Sequence, residues 1–138
     1  MYKIVIDANL WISLLIGKRL SGLKKLCFNE NISIITSPKM VEEFIDVSSR
    51  EKIKKYATPQ NISNVLSLIK ACCVDDPIED AIFPSLNDPK DLYLFALANA
   101  NDADFLLTGD KPLLALGRFH QTRIISYSKF MAMLEEEA

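Results

Sequence analysis

Lys3-Ile4-Val5-Ile6-Asp7-Ala8-Asn9-Leu10-Trp11-Ile12-Ser13-Leu14-Leu15-Ile16-Gly17 is the stretch that decides the fold class. Residues 3–6 are a short, continuous apolar run rich in β-branched side chains, the mark of a strand covered on both faces. Residues 8–16 are apolar over a helical length and stop at Gly17. An acid, Asp7, stands at the junction. A doubly covered strand running straight into a helix is the opening unit of an α/β domain.

The same alternation continues down the chain. Leu20, Leu23 and Cys27 repeat at helical spacing, and Ile32 to Thr36 reads as a second strand. Ser37-Pro38 and Thr58-Pro59 are helix starts, each with a hydroxyl residue to cap and proline at the first helical position. The second of these helices puts Ile62, Val65, Leu66 and Ile69 on one face. Ala71-Cys72-Cys73-Val74 reads as a third short strand, and Asp75 to Asn87, with Pro77 and Pro84, as a loop. Asp88-Pro89 opens a helix that carries Leu92, Phe95 and Ala96 inward. Asp104 to Leu107 is a fourth strand, ended by Thr108-Gly109-Asp110. Arg123-Ile124-Ile125 is a weaker fifth, and Ser128 caps a last helix. The expectation is one α/β domain over residues 1–138 with a mostly parallel sheet.

Composition sets the outer limits. The chain has 138 residues, 49% of them hydrophobic, and a mean hydropathy of +0.12, which excludes disorder. Sixteen Lys+Arg against eighteen Asp+Glu leave a net charge of −2, so nucleic acid is not gripped by a basic coat. A nucleic-acid role has to come from local patches or a bound metal. The apolar run Leu10 to Ile16 is interrupted by Ser13 and preceded by Asp7, too short for a membrane span or a signal-peptide core. Three cysteines without C-x-x-C spacing (Cys27, Cys72, Cys73) and one histidine (His120) leave no zinc pattern. Buried, reduced thiols in a cytoplasmic protein are expected.

The acids fall in a pattern. In open parallel sheets ligands bind beyond the carboxyl ends of the strands. Asp7 ends the first strand and Asp110 lies just past the fourth. Glu42 and Glu43 lie in the second turn of the helix that leaves the second strand, and Asp88 and Asp91 start the helix leading back to the fourth. Angular placement puts Glu43 beside Val47 at the edge of the apolar arc and Glu42 nearer solvent. Each acid has a plainer reading: Asp88 and Asp91 as a cap and its partner, Asp110 as a turn residue, Glu43 as a solvated helix residue. Together they put carboxylates from four segments on one rim. Two unit charges about 4 Å apart repel by roughly 1 to 4 kcal/mol at dielectrics between water and a protein surface. A divalent cation removes that conflict, and an all-oxygen set favours Mg²⁺ or Mn²⁺ over zinc.

Ile4-Val5-Ile6-Asp7-Ala8-Asn9, Ser37-Pro38-Lys39-Met40-Val41-Glu42-Glu43-Phe44, Asp88-Pro89-Lys90-Asp91 and Leu106-Leu107-Thr108-Gly109-Asp110-Lys111 resemble, in that order, the motifs of the PIN domain. The resemblance covers nearly the whole chain. It is nearest to bacterial and archaeal PIN proteins classed as toxins of toxin–antitoxin systems, relatives of the VapC toxins. It implies a three-layer α/β/α sandwich with a four- to five-stranded sheet and a Mg²⁺- or Mn²⁺-dependent ribonuclease. Carried over by motif, Asp7, Asp91 and Asp110 hold the metal and Glu43 orients a ligand or water. Asn9 and Thr108 match the polar companions, and Asp88 is a supporting acid. Trp11 departs from the family pattern, where smaller aliphatics are common.

The partners implied are RNA, a small antitoxin and a second copy in a homodimer, with no membrane. Candidates for phosphate contacts are Lys18, Arg19, Arg50, Lys52, Lys54, Lys55 and Lys111, each with a plain solvated face as the simpler account, and Trp11 and Tyr56 are candidates for base stacking, with core packing the better account of Trp11. Two other readings stay open: a non-catalytic PIN-like module that binds RNA or protein, and a housekeeping RNA-processing nuclease. A phosphatase of the haloacid-dehalogenase kind ranks low, because its second aspartate would fall at Asn9.

Overall fold

The computed structural model describes residues 1–17, 19–75 and 89–137, and leaves the side chains of Leu20, Pro89, Lys90 and Asp91 outside the description. Five strands form one sheet: β1 (Tyr2–Ile6), β2 (Ile32–Ile35), β3 (Phe105–Leu107), β4 (Arg118–Phe119) and β5 (Thr122–Ile125), in the order β2-β1-β3-β5-β4. β1 is parallel to both neighbours, with Val5 opposite Ile35 and Leu106, and β3 is parallel to β5. Only β4 is antiparallel, joined to β5 through a turn at His120, whose φ of 51° is left-handed. Ile4, Val5 and Ile6 are all fully buried. Consecutive residues on a strand point to opposite faces, so both faces of β1 are covered, as its unbroken apolar run requires.

The helices are α1 (Ala8–Ile16), α2 (Leu20–Cys27), α3 (Pro38–Ser48), α4 (Glu51–Lys54), α5 (Pro59–Ala71), α6 (Pro89–Ala100), α7 (Lys111–Leu116) and α8 (Tyr127–Glu137). Ser37 caps α3 by accepting from the Met40 N–H, and Thr58 caps α5 by accepting from the Asn61 N–H at 3.1 Å. α1, α3 and α5 pack on one another, with Trp11 and Phe44 fully buried. Phe130 of α8 sits edge-on against Phe105 of β3, and Phe95 of α6 stacks on Phe119 of β4 at 4.3 Å. Helices flanking a mostly parallel sheet give the expected α/β/α architecture.

The elements differ from expectation in a few places. Ala71 to Val74 is not a strand. α5 runs through Ala71, Cys72 ends it, and Cys73 makes only an isolated bridge to Thr36. The Thr36 hydroxyl donates to the Ile69 carbonyl at 2.6 Å, so this stretch is used in finishing the helix. Ser126, not Ser128, opens α8, accepting from the Lys129 N–H at 3.2 Å. α4, α7 and β4 were not expected, because four-, six- and two-residue elements are too short to show a period. All of the expected loop from Asp75 to Asn87 except Asp75 lies outside the described residues, as do Lys18 and Asp88. Cys27 and Cys72 are half-buried, but Cys73 is exposed, against the expectation for all three thiols. Among the described residues no helix is long and apolar enough to cross a membrane.

Candidate active site

Because β1, β2 and β3 are parallel, their carboxyl ends share one edge, and the helices α1, α3 and α7 all leave from it. α6 is brought there from the other direction. Its last turn leads through Ala103 into the start of β3, and 12 residues of helix span about 18 Å, so its first turn lies at the carboxyl edge.

Asp7 is the centre of this edge. Its N–H donates to the Leu107 carbonyl at 3.0 Å, which ties the end of β1 to the end of β3. The residue is 9% exposed. One oxygen, Oδ1, accepts from the Asn9 N–H at 3.1 Å, so Asp7 is the N-cap of α1. The other, Oδ2, accepts from the Thr108 hydroxyl at 2.9 Å. Thr108 is fully buried, and its oxygen in turn accepts from the Asp110 N–H at 3.1 Å. A carboxylate fixed at both oxygens by charge-assisted hydrogen bonds keeps one orientation.

Asp110 behaves differently. It occupies the N-cap position of α7, yet its side chain makes no capping bond. The cap reading therefore does not explain its carboxylate. Asp7, Asn9, Leu10, Ser13, Gly109 and Asp110 line a single cleft of about 350 Å³. Ser13, whose hydroxyl donates to the Asn9 carbonyl at 3.0 Å, was not anticipated. Its spacing of four from Asn9, one turn on along the same helix face, was the available signal.

The remaining site residues are placed less fully. Glu43 is half-buried on α3 while Glu42 is exposed, in line with the angular reading, but Glu43 does not line this cleft. Asp91 is the third residue of α6, with its side chain outside the description, and Asp88 lies outside it altogether. The elements carrying Glu43 and Asp91 do meet: Lys39 in the first turn of α3 lies with Nζ 5.2 Å from the ring centre of Tyr93 in α6. Lys39 was missed as a rim cation. Arg50, Lys52, Lys54 and Lys55 come after the far end of α3, about 16 Å of helix from the rim. Trp11 belongs to the core, and its Nε1 finds no acceptor among the described residues. Tyr56 is exposed, near the far end of α3.

Among the described residues no three His, Cys, Asp or Glu side chains form a group that would hold a metal ion. Two carboxylates do face one cleft, with only oxygen donors around them, and that chemistry fits a hard divalent cation. A second cleft of about 490 Å³ lies between α3, α4 and α5, lined by Ile45, Ile62 and Leu66 among others. It is mainly apolar, and its lining holds no carboxylate.

Comparisons with known proteins agree with the geometry. The fold is similar to a chain of VapBC2 from Rickettsia felis, crystallised bound to a DNA fragment from their promoter. The TM-score is 0.55 at 17% identity, over 88% of this chain and 96% of that one, a likeness of fold. No curated protein matches the chain. The family profile described as PIN domain matches residues 3–112, the span from the first residues of β1 to the start of α7. That match takes in β1, α3, α6 and the Thr108–Asp110 corner together, and the chain belongs to the PIN domain family.

Proposed function

We propose that this protein is a metal-dependent endoribonuclease that hydrolyses RNA phosphodiester bonds, and that it is the toxin of a toxin–antitoxin pair. One observation carries the reading: Asp7, fixed by Thr108 and the Asn9 N–H, shares a cleft with Asp110, whose carboxylate does not cap its own helix. Asp7, Asp91 and Asp110 would hold Mg²⁺ or Mn²⁺, with Glu43 reaching it through water. When bound, the cation supplies water activation at neutral pH and positive charge facing the developing phosphorane.

The chain's own residues supply position. Thr108 holds Asp7 in one orientation while carrying the Asp110 N–H on the same oxygen, so the two acidic corners move together. Asn9 presents its side chain to solvent at the mouth. The buried core under Asp7 excludes water from below, since Ile6 and Ala8 on either side are buried.

The likeness to VapBC2 and the family membership support the toxin role and a small antitoxin as partner; a homodimer working in the cytoplasm is part of the same proposal. The deciding assay incubates purified protein with single-stranded and structured RNA, with Mn²⁺ or with EDTA. Cleavage that needs Mn²⁺ and is lost in Asp7→Asn is the expected result. Cleavage indifferent to EDTA or to Asp7→Asn refutes the mechanism. No Mn²⁺ binding by calorimetry and no cleavage would make the protein a non-catalytic binding module.

A further inference from the structure

Three helices at the carboxyl edge begin with a lysine beside a proline: Pro38-Lys39 in α3, Pro89-Lys90 in α6 and Lys111-Pro112 in α7. A lysine there has the wrong sign for the helix. The amino end is the positive pole, where Asp and Glu stabilise and cations do not. α3 has no acid at its cap or in its first turn to offset it, whereas α7 has Asp110 at its N-cap. Proline alone is a sufficient start signal. The helix dipole thus gives no reason for the charge at Lys39.

The location of these lysines does. β1 lies between β2 and β3, so Lys39, on the helix after β2, and Lys111, on the helix after β3, leave from strands on either side of Asp7. Strands two apart are about 10 Å apart. Both lysines are exposed. Lys111 comes directly after Asp110, and the Lys39 ammonium is held over the Tyr93 ring rather than swinging free. The denser cluster at Arg50, Lys52, Lys54 and Lys55 lies past the opposite end of α3, and Arg50 is tied to Asp46 at 3.1 Å.

We propose that Lys39 and Lys111 contact the backbone phosphates of single-stranded RNA on the two sides of the acidic cleft, and that the larger Lys52–Lys55 cluster does not. This rests on the ribonuclease reading above. It explains how a chain of net charge −2 with an acidic rim retains a polyanion: the cations stand beside the carboxylates.

The test is steady-state cleavage of a labelled single-stranded RNA with Mn²⁺ at several salt concentrations. Each phosphate contact on a single strand contributes about 0.7 to the slope of log affinity against log salt. K39Q and K111Q should each lower the slope of log kcat/KM by about 0.7 and the double variant by about 1.4. The double variant should raise KM about tenfold, with a smaller effect on kcat, and remain folded by circular dichroism. K52Q/K54Q should leave the slope in place. If wild type cleaves and K39Q/K111Q keeps its slope and KM, the lysine assignment is wrong and the nuclease reading stands. If wild type neither cleaves nor retains RNA, both fall.

Discussion

Thr108→Val removes one hydroxyl from the middle of the candidate site and keeps the side chain's shape. That oxygen donates to Asp7 Oδ2 at 2.9 Å and accepts from the Asp110 N–H at 3.1 Å. A hydrogen bond to a charged acceptor contributes about 1.5–3 kcal/mol net, and the partly buried Asp110 N–H loses its acceptor as well. The Asn9 N–H still holds Oδ1, so Asp7 is not stranded. The expected loss is about 2–3 kcal/mol. For a domain of this size that lowers the melting midpoint by roughly 6–10 °C. Thr108→Ser keeps the hydroxyl and loses one buried methyl, costing about 1 kcal/mol. Thermal unfolding by circular dichroism in EDTA reads stability alone, and Mn²⁺-dependent cleavage on the same samples reads Asp7 orientation, with the Val variant at least tenfold slower. A Val variant that melts within about a degree of wild type, with Ser the less stable of the two, would mean the hydroxyl holds nothing and refute the reasoning.

Other measurements probe separate parts of the molecule. Asp110→Ala should change stability in EDTA by less than about 0.5 kcal/mol, against about 1 kcal/mol for a true N-cap, and should abolish cleavage; guanidinium unfolding with the RNA assay checks both. A Cβ at Gly22 would run into the Tyr127 hydroxyl oxygen, while the ring carbon bearing it is 3.6 Å away. Gly22→Ala should therefore destabilise wild type by about 1–3 kcal/mol yet stabilise Tyr127→Phe by up to about 1 kcal/mol through helix propensity, a sign change readable by a double-mutant cycle. Burial, with the neighbouring Cys72 second, pushes the Cys27 thiol up to about 11, so little of it is thiolate at pH 8. Iodoacetamide at that pH should label exposed Cys73 well before Cys27, with the lag shrinking as pH rises; peptide mass spectrometry tracks the order.

Much of the fold could be read where one residue carries an unambiguous physical signal. The Ser37-Pro38 and Thr58-Pro59 starts were legible because a hydroxyl cap followed by a residue without an N–H fits few other conformations. β1 was legible because both its faces are buried and its apolar run is unbroken. The Ala71–Val74 stretch misled for the complementary reason: two cysteines and a valine look strand-like whether they pair or finish a helix, and the Thr36 hydroxyl that decides it comes from 33 residues away. The site was legible as positions and not as bonds. Strand ends locate Asp7 and Asp110 at one edge, while Glu43, half-buried on α3, does not line their cleft, and nothing local says that Asp7 caps a helix while Asp110, at an N-cap position, does not. The Lys52–Lys55 cluster stood out in the sequence by density alone, whereas its distance from the rim depends on which way α3 runs.

The Asp7–Thr108 bond joins residues 101 positions apart. On a growing chain its two halves are separated in time. At about 5–20 residues per second, some 5–20 seconds of synthesis pass between them. β1 precedes the other strands yet is interior in the finished sheet, and waits for β3 to supply its second neighbour. No chain interrupted before Thr108 can hold Asp7 in its final orientation, so the corner shared by Asp7 and Asp110 is assembled only after both β1 and β3 have been made.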